Sequence, residues 1–442
     1  MIELSANVTA GWELKTLGDI VSILTDYTAN GSFESLKINV TYYSEPNFAV
    51  LVRTTDLEKK PFKPERFTDE NGYKFLKKTA LYGGEIVLAN VGSVGKVYIV
   101  PEYNSPMTLA PNTYLVKFSD EVDQKFVYQF LISEFYISGL YRTINSTTLA
   151  AINKDNFRSI PIFLPNNKKE QTSIRKVLET ADQAIEKTEA LITKYQQIKA
   201  GLMHDLFTRG LTTDGKLRPP REQAQELYQE TPIGWIPKEW EVWEFEKVAQ
   251  ILDPQPDHRT PPEQLDGIPY IGIGDFDLNG ELDTNGCRKI IPGAYEKQRL
   301  RFTTESGDII FGKIGTIGHP KILPSGRYAL SANVLLIKST IGSSYMFHIL
   351  NAAFFGKQIS DITNTTSQPA LGIEKVRGLL IPLPSDDKEK DKISALLDSC
   401  YLNISNNFVY LQKLKKQKLG LMHDLLTGKV TVTIDQAETA HV

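Results

Sequence analysis

Two stretches of the chain carry apolar residues at the spacing of a long amphipathic helix. In the first stretch the positions 174, 178, 181, 185, 188, 192 and 195 follow one another at steps of four and three, with Thr188 as a polar interruption. The second stretch runs from Ile393 to Leu425, and neither stretch contains a proline. A helix of about 40 residues is roughly 60 Å long. The heptad spacing predicts two long helices that pair with each other, and the alternative is that each packs only on its own domain.

Short β-branched runs bounded by glycine precede each helical stretch. Residues 85–88 and 308–311 are runs of this kind, and they predict strands. A Gly-x-x-Gly sequence follows each run, at 92–95 and 315–318, and predicts a tight loop. Proline-rich segments then end the regular structure before each helical stretch begins.

An internal repeat sets the architecture. The sequence Gly-Leu-Met-His-Asp-Leu occurs at 201–206 and again at 420–425, which is a shift of 219 positions. Apolar positions of the two helical stretches coincide at the same shift, and the glycine blocks coincide at a shift of 223, which takes Gly92 to Gly315. A two-fold duplication predicts the order domain, helix, connector, domain, helix, and it suggests a partner or ligand that is itself bipartite.

Composition limits the possible classes of protein. A chain of 442 residues is long enough for two cores, and its 41% hydrophobic and 23% charged residues are typical of folded proteins. The net charge of −3 counts mildly against DNA binding unless charge is segregated by face. The two cysteines have no metal-ligand partners near them in the sequence, which suggests a reducing compartment. The sequence shows no secretion signal and no apolar run of membrane-spanning length. We therefore predict a cytoplasmic protein with no membrane partner.

The chain contains only partial matches to known catalytic and nucleotide-binding motifs. The 92–96 loop lacks the glycine spacing of a phosphate loop, and Gly272 and Gly274 lack the third glycine of a nucleotide loop. His204 and His423 each precede an aspartate, but adjacent residues on a helix do not face each other. The sequence therefore predicts no catalytic residues, no metal site and no cofactor in this chain.

The order of parts resembles the DNA specificity subunit of type I restriction–modification systems over nearly the whole chain. The resemblance rests on the domain starts at 12–20 and 236–240 and on the Gly-Asp/Glu-Ile sequences at 84–86 and 307–309. It rests also on the proline-rich segments 160–165 and 380–384 and on the repeated helix ends at 201–206 and 420–425. It implies an α+β fold with a pseudo-two-fold repeat, in which two long antiparallel helices join two α/β target-recognition domains. The predicted boundaries are 1–165 and 234–384 for the two domains, 166–210 and 385–428 for the spacer helices, 211–233 for the connector and 429–442 for the tail.

The resemblance also implies a function. Such a subunit reads a split target on double-stranded DNA, and its paired helices fix the distance between the half-sites. It assembles with two modification subunits that methylate adenine with S-adenosylmethionine, and with restriction subunits that use ATP and Mg²⁺. Segments 25–60 and 253–285 differ between the halves and would choose the bases. The alternatives are a coiled-coil scaffold that binds only proteins and an enzyme with a split site.

Candidate DNA contacts come from three places, of which one, Arg53, occurs only in the first half, because the second half has Gly272 at the matching position. The glycine loops are the first choice because glycine allows close backbone approach and exposed N–H groups meet phosphate, while the alternative is a turn with solvated polar groups. Arg53 could read guanine, and a salt bridge to Asp56 is the equal alternative. The polar stretches 143–148 and 363–368, which precede the proline-rich segments, could contact bases. Lys154 and Lys375 coincide at a shift of 221 and could contact phosphate, while the alternative is a solvated face. The candidates are Arg53, Asn90, Ser93, Lys96, Thr147, Lys154, Lys313, Thr316, His319, Gln368 and Lys375.

The repeated helix ends are the predicted partner-binding positions, since a duplicated sequence suits a duplicated partner. These positions are Leu202, His204, Asp205, Leu421, His423 and Asp424.

Overall fold

The structure is a computed structural model that describes residues 9–143, 151–256, 259–277, 280–363 and 371–432. The chain divides into two compact units. The first unit is Met1–Ile185 with Leu414–Val442, and the second unit is Glu186–Lys413. Each unit therefore combines one globular domain with one end of each long helix.

The first unit is built on two four-stranded sheets and one strand pair. The strand order is β2-β9-β6-β7 in one sheet and β4-β3-β8-β5 in the other, and β1 pairs with β10. The elements are β1 (Trp12–Thr16), α1 (Leu17–Ile20), β2 (Val21–Asp26), α2 (Phe33–Asn39), β3 (Ala49–Val52), α3 (Thr54–Leu57), β4 (Phe67–Thr68), α4 (Glu70–Phe75), β5 (Ala80–Leu81), β6 (Ile86–Ala89), β7 (Val97–Ile99), β8 (Met107–Leu109), β9 (Thr113–Phe118), α5 (Gln124–Leu131), α6 (Glu134–Thr143), α7 (Lys154–Arg158) and β10 (Pro161–Pro165).

The second unit repeats this plan. Its sheets have the orders β14-β20-β17-β18 and β16-β15-β19, and β13 pairs with β21. A hairpin, β11 with β12, lies in the predicted connector and at its end. The elements are β11 (Tyr228–Thr231), β12 (Gly234–Pro237), β13 (Glu241–Glu244), α9 (Phe245–Val248), β14 (Ala249–Leu252), β15 (Glu263–Ile271), β16 (Lys289–Ile290), α10 (Pro292–Arg299), β17 (Ile309–Gly312), β18 (Gly318–Ile322), β19 (Ala329–Leu330), β20 (Val334–Ser339), α11 (Ser343–Leu350), α12 (Ala353–Thr363), α13 (Ile373–Arg377) and β21 (Leu380–Leu383).

The predicted strands 85–88 and 308–311 correspond to β6 and β17, which are interior strands of four-stranded sheets. All four residues of each strand are buried, because both faces are covered: in β6, Ile86 and Leu88 join one hydrophobic core and Val87 joins another. A strand buried on both faces needs a continuous apolar run, which is the pattern that these segments carry.

The two long helices are confirmed. They are α8 (Lys168–Thr208, 41 residues) and α14 (Asp387–Leu425, 39 residues). In the first unit Lys418 Nζ lies 2.5 Å from Asp182 Oδ1, and in the second unit Lys199 Nζ lies 4.9 Å from the ring centroid of Tyr401. In each pair the two residue numbers sum to 600, so the numbers rise along one helix as they fall along the other. The helices therefore pair antiparallel.

The apolar heptad positions take part both in pairing of the helices and in packing of each helix on its own domain, the two alternatives that the sequence left open. Ile174 and Leu178 are fully buried in the core of the first unit, and Ile393 and Leu397 are fully buried in the core of the second. The opposite end of the other helix completes each core. Met422, Leu425 and Leu426 join the first core, and Met203, Leu206 and Phe207 join the second. Each helix thus packs on its own domain at its start and on the other unit's core at its end.

A glycine after each helix packs against the tryptophan that begins a domain. Gly210 and Gly428 have φ of 62° and 70°, the left-handed conformation that often ends helices. A Cβ at Gly210 would lie 2.8 Å from the Trp240 ring, and one at Gly428 would lie 2.9 Å from the Trp12 ring. The repeated helix ends and the aromatic domain starts are therefore parts of one packing arrangement.

None of the helices in the described ranges is long and apolar enough to cross a membrane.

Candidate nucleic-acid interface

The two Gly-x-x-Gly sequences form the tight loops that the sequence predicted. Gly92 and Gly95 have φ of 79° and 81°, and Gly315 and Gly318 have φ of 74° and 87°. Residues with a Cβ rarely adopt these angles, so the turn depends on glycine. The loops connect β6 to β7 and β17 to β18, and each begins at the end of an interior strand of its four-stranded sheet.

Backbone hydrogen bonds join each glycine loop to two neighbouring segments. Asn90 N–H donates to Asn112 O at 3.2 Å, and Asn90 O accepts from Ile152 N–H at 3.0 Å. In the second unit Lys313 makes the same pair of bonds, with Asn333 O at 2.8 Å and Leu371 N–H at 2.9 Å. Both units therefore gather three chain segments at one edge of the sheet.

Two of the predicted DNA contacts cannot be placed. Thr147 and Gln368 fall in 144–150 and 364–370, which lie outside the described residues.

Arg53 forms the salt bridge to Asp56 that the sequence offered as the alternative to a DNA contact. Its Nη2 lies 2.5 Å from Asp56 Oδ1 and 3.0 Å from Glu65 Oε2, and its Nε donates to Asp56 Oδ2 at 3.0 Å. Asp56 is fully buried. The hydrogen bond to Asp56 raises the pKa of Arg53, and Glu65 adds to the effect. An arginine held in this way by two carboxylates would have to release one of them before it could bind a guanine.

The second unit has a glycine at the position of Arg53. Arg53 N–H donates to Asp56 Oδ2 at 3.2 Å, and Gly272 N–H donates to Asp275 Oδ2 at 2.7 Å. Both residues follow strands that pair in parallel with their neighbours, β3 with β8 and β15 with β19. The two aspartates are therefore equivalent, but only Asp56 has an arginine on its carboxylate.

A second pair of equivalent aspartates is neutralised by lysines from different places. Asp26 ends β2 and pairs with Lys154 at 2.7 Å, while Asp253 follows β14 and pairs with Lys313 at 2.6 Å. Burial is the largest single effect and opposes ionisation of Asp26, but the hydrogen bond and charge of Lys154, together with the bonds from Thr28 and Ala29, outweigh it, so the pKa of Asp26 is lowered. Asn90 stands where the second unit has Lys313, and its Oδ1 is buried without a hydrogen-bond partner in the described ranges.

Lys313 is thus a buried ion-pair partner, not a surface donor. Its side chain is only 3% exposed, so it cannot meet a ligand at the surface while the ion pair is intact.

The expected equivalence of Lys154 and Lys375 is wrong. Because Ile152 and Leu371 make the same backbone bond to the glycine loop, residues here correspond at a shift of 219. Helix α7 begins at Lys154 and α13 begins at Ile373, so Lys375 lies two positions farther along its helix. Lys154 forms an ion pair with Asp26, whereas Lys375 is exposed.

Lys313→Met should destabilise the second unit by about 3 kcal/mol, because it leaves the Asp253 carboxylate in a largely buried place without its cation. Urea unfolding measures the change. Lys375→Met, which removes the same charge from an exposed position, should stay within about 0.5 kcal/mol of the unmodified protein. Equal effects of the two substitutions would show that the Asp253 pair does not support the loop.

The remaining loop donors face solvent. Lys96 is 62% exposed and lies 3.0 Å from Glu58, which also accepts from Tyr98 Oη at 2.7 Å. The bond from Tyr98 and then that from Lys96 lower the pKa of Glu58. Ser93 is half-buried, and Thr316 and His319 are exposed. These side chains can meet a phosphate or base edge without unfolding the loop.

The repeated helix ends present a core face and an outer face. Met203 and Met422 are buried, while His204 and His423 are exposed. His204 and Asp205 line a cleft of about 930 Å³ in the second unit, together with Trp235. The ring of His423 stacks on Phe135 at 5.6 Å in the first unit.

Leu202 is half-buried and Leu421 is 36% exposed, so both contribute to the outer face. Asp205 and Asp424 lie 3.5 Å and 3.4 Å from the cationic groups of Arg209 and Lys429.

Sequence reasoning missed the asparagines beside the glycine loops. Asn112, with φ of 67°, and Asn333 are both exposed, and each accepts the backbone bond described above. The signal was available, because 109–112 reads Leu-Ala-Pro-Asn and 330–333 reads Leu-Ser-Ala-Asn. No cluster of metal-ligating side chains occurs within the described part of the chain.

Comparison with known proteins agrees with this architecture. The family model of the type I restriction modification DNA specificity domain matches residues 9–197 and 237–416. The specificity subunit of the type I restriction enzyme MjaVIII of Methanocaldococcus jannaschii is 25% identical over 330 residues, which are 69% of this chain and 70% of the relative.

Two solved structures share the fold. The type I restriction–modification S subunit from M. genitalium superposes with a TM-score of 0.57 at 15% identity, over 98% of this chain and 99% of that one. A chain from a structural study of complex assembly and conformational transition in the type I R-M system gives a TM-score of 0.52 at 14% identity, over 96% and 100%.

Proposed function

This chain belongs to the type I restriction–modification DNA specificity family, and we propose that it reads a bipartite duplex target, one half-site with each globular domain. Members of this kind are non-catalytic components of their complexes. The observation that carries the proposal is the repeated loop edge. Both units gather the same three segments by the same backbone bonds, while the side chains on those segments differ. A shared scaffold with different side chains suits two readers of different half-sites.

We propose that the paired helices act as the ruler between the half-sites. They are unbroken over 41 and 39 residues, and they pair antiparallel. A continuous helical pair is stiffer than an irregular linker, so it can hold a fixed gap on the duplex.

The proposed partners are two modification subunits, one at each repeated helix end. The exposed His204 and His423 repeat in the two units, as a duplicated partner requires. The cleft beside His204 is large enough to accept side chains of a partner. S-adenosylmethionine would belong to the modification subunits, and ATP and Mg²⁺ to restriction subunits that join them.

The test is to express the chain with its methyltransferase partner in a host that lacks adenine methylation, and to sequence the methylated adenines. We expect one motif with two specified parts and an unspecified gap. A continuous motif, or no methylation that depends on this chain, would contradict the proposal. The purified complex should also bind the target duplex more weakly as salt rises.

Lys96→Ala should weaken binding to all duplexes by a similar factor and lower the slope of log affinity against log salt by about 1, because one phosphate contact is lost. Titrations at several salt concentrations measure the slope. The control is Lys74→Ala, since Lys74 is 68% exposed but lies on α4 and pairs with Glu70. An unchanged slope for Lys96→Ala would remove this lysine from the contact surface.

A further inference from the structure

The second unit contains a polar cleft of about 210 Å³ beside its glycine loop. The turn at 272–275, the glycine loop at Thr316 and the segment at Ser331 and Asn333 enclose it. It is formed by the segments that follow β15, β17 and β19, so it opens at the loop edge described above.

This cleft exists where the first unit has an arginine. In the first unit Arg53 covers Asp56 with two hydrogen bonds, and Asp56 is fully buried. In the second unit Gly272 leaves Asp275 half-buried, and within the described residues its carboxylate accepts one bond, at Oδ2 from Gly272 N–H at 2.7 Å. Among the residues that the structure describes, no lysine or arginine pairs with Asp275. Its Oδ1 is thus available to a ligand.

The donors and acceptors of the cleft fit one kind of base edge. A carboxylate only accepts hydrogen bonds, and in the major groove the exocyclic amines of cytosine and adenine are the donors. A phosphate would be repelled by the same charge. Asn333 is exposed beside Asp275, and an asparagine amide can both donate to and accept from adenine.

We propose that this cleft is a base-reading pocket, in which Asp275 accepts a hydrogen bond from the exocyclic amine of an adenine or a cytosine in one half-site. The inference rests on the proposed function, because it assigns a base class to one of the two readers. It also explains the glycine. A Cβ at Gly272 would lie 3.4 Å from Ser331 Cβ and 3.9 Å from Asp275 Oδ2, so a longer side chain there would enter the cleft.

The experiment uses the complex of the full chain with its methyltransferase partner and duplexes of the target found by methylation mapping. Each adenine of the two half-sites is replaced in turn by purine, and each cytosine by 2-pyrimidinone, which removes the amine alone. Affinities are measured for the unmodified protein and for Asp275→Ala, because an asparagine would keep an oxygen that can accept the same bond. The matched control is Asp266→Ala, which makes the same truncation at an exposed position outside the cleft.

At one position, removal of the amine should weaken binding of the unmodified protein by roughly 5- to 150-fold. Asp275→Ala should show little further loss at that position, whereas Asp266→Ala should lose as much as the unmodified protein. Additive losses for Asp275→Ala at every position would overturn the inference. If the unmodified complex does not distinguish its target from a scrambled duplex, the proposed function itself fails.

A second variant guards against a folding defect in Asp275→Ala. Gly272→Arg should place a guanidinium on Asp275, as Arg53 does on Asp56, and should lose the preference at the same position while the other half-site stays unchanged. If Gly272→Arg keeps that preference, the cleft is not the reader.

Discussion

Arg218→Met is expected to lower the free energy of unfolding of the second unit by about 3–5 kcal/mol, the largest stability loss we predict for a single side chain. Arg218 and Glu389 are each 8% exposed, and their side chains approach to 2.5 Å. Methionine keeps much of the side-chain volume but leaves a buried carboxylate without its cation. Breaking a buried pair in this way costs more than the pair contributes when intact.

The position of Arg218 explains why the loss should spread through the unit. Its guanidinium joins the connector to Glu389 near the start of α14 and to Glu239 before β13. Glu389 also accepts the Leu211 N–H at 2.6 Å. Burial is the largest single effect and would lower the pKa of Arg218, but the hydrogen bonds and negative charges of Glu389 and Glu239 together outweigh it, so the pKa is raised and the arginine stays charged.

Urea unfolding, followed by a signal from the second unit, measures the change. Glu239→Gln is the matched control, because it removes an exposed partner of the same arginine and should cost less than about 1 kcal/mol. Arg218→Met/Glu389→Gln should recover part of the loss, since it removes the uncompensated charge. A loss for Arg218→Met no larger than that of Glu239→Gln would show that the buried pair is not a support of this unit.

Periodic and local features were predictable from the sequence. The heptad steps between 174 and 195 fixed the helical register, and glycine at 92, 95, 315 and 318 predicted loops that do require a positive φ. These predictions held because the signal lies within a few residues of the structure that it determines.

Contacts between distant residues were not predictable. Lys313 looked like a loop donor, but Asp253, 60 positions earlier, holds it in the interior. Lys154 looked equivalent to Lys375 until the backbone bonds of Ile152 and Leu371 set the shift at 219 instead of 221. Nothing in one sequence states which carboxylate a lysine will meet after the strands pair.

Arg53 shows the intermediate case. Asp56 lies three positions later, so the salt bridge was a local possibility, but its second partner Glu65 became visible only in the structure. The carboxylate of Asp275 could not be singled out from the sequence either. That it lacks an arginine partner becomes visible only when Gly272 is compared with Arg53 in the two units.

Lengthening both helices by three heptads is expected to lengthen the unspecified gap of the DNA target by about nine base pairs. Three heptads add about 32 Å of helix, which is close to one turn of B-DNA. Whole heptads keep the apolar seam of each helix facing its partner. The two half-sites therefore return to nearly the same face of the duplex, and the motifs that they contain should not change.

The insertions belong at facing positions, so that the pairing is kept. Because paired residue numbers add to 600, an insertion after Glu189 in α8 faces one after Tyr410 in α14. One heptad in each helix is an instructive contrast. It adds about 10 Å, or about three base pairs, which turns the second half-site roughly 100° around the duplex, so methylation should fall sharply. The same 21 residues inserted after Asp214, in the exposed turn of the connector, should leave the gap unchanged.

Sequencing of methylated adenines for the three-heptad protein, expressed with its methyltransferase partner, tests the ruler most directly. We predict the original two half-site motifs, separated by about nine additional base pairs. The original gap with unchanged motifs, or a folded complex that methylates no split site, would contradict the account.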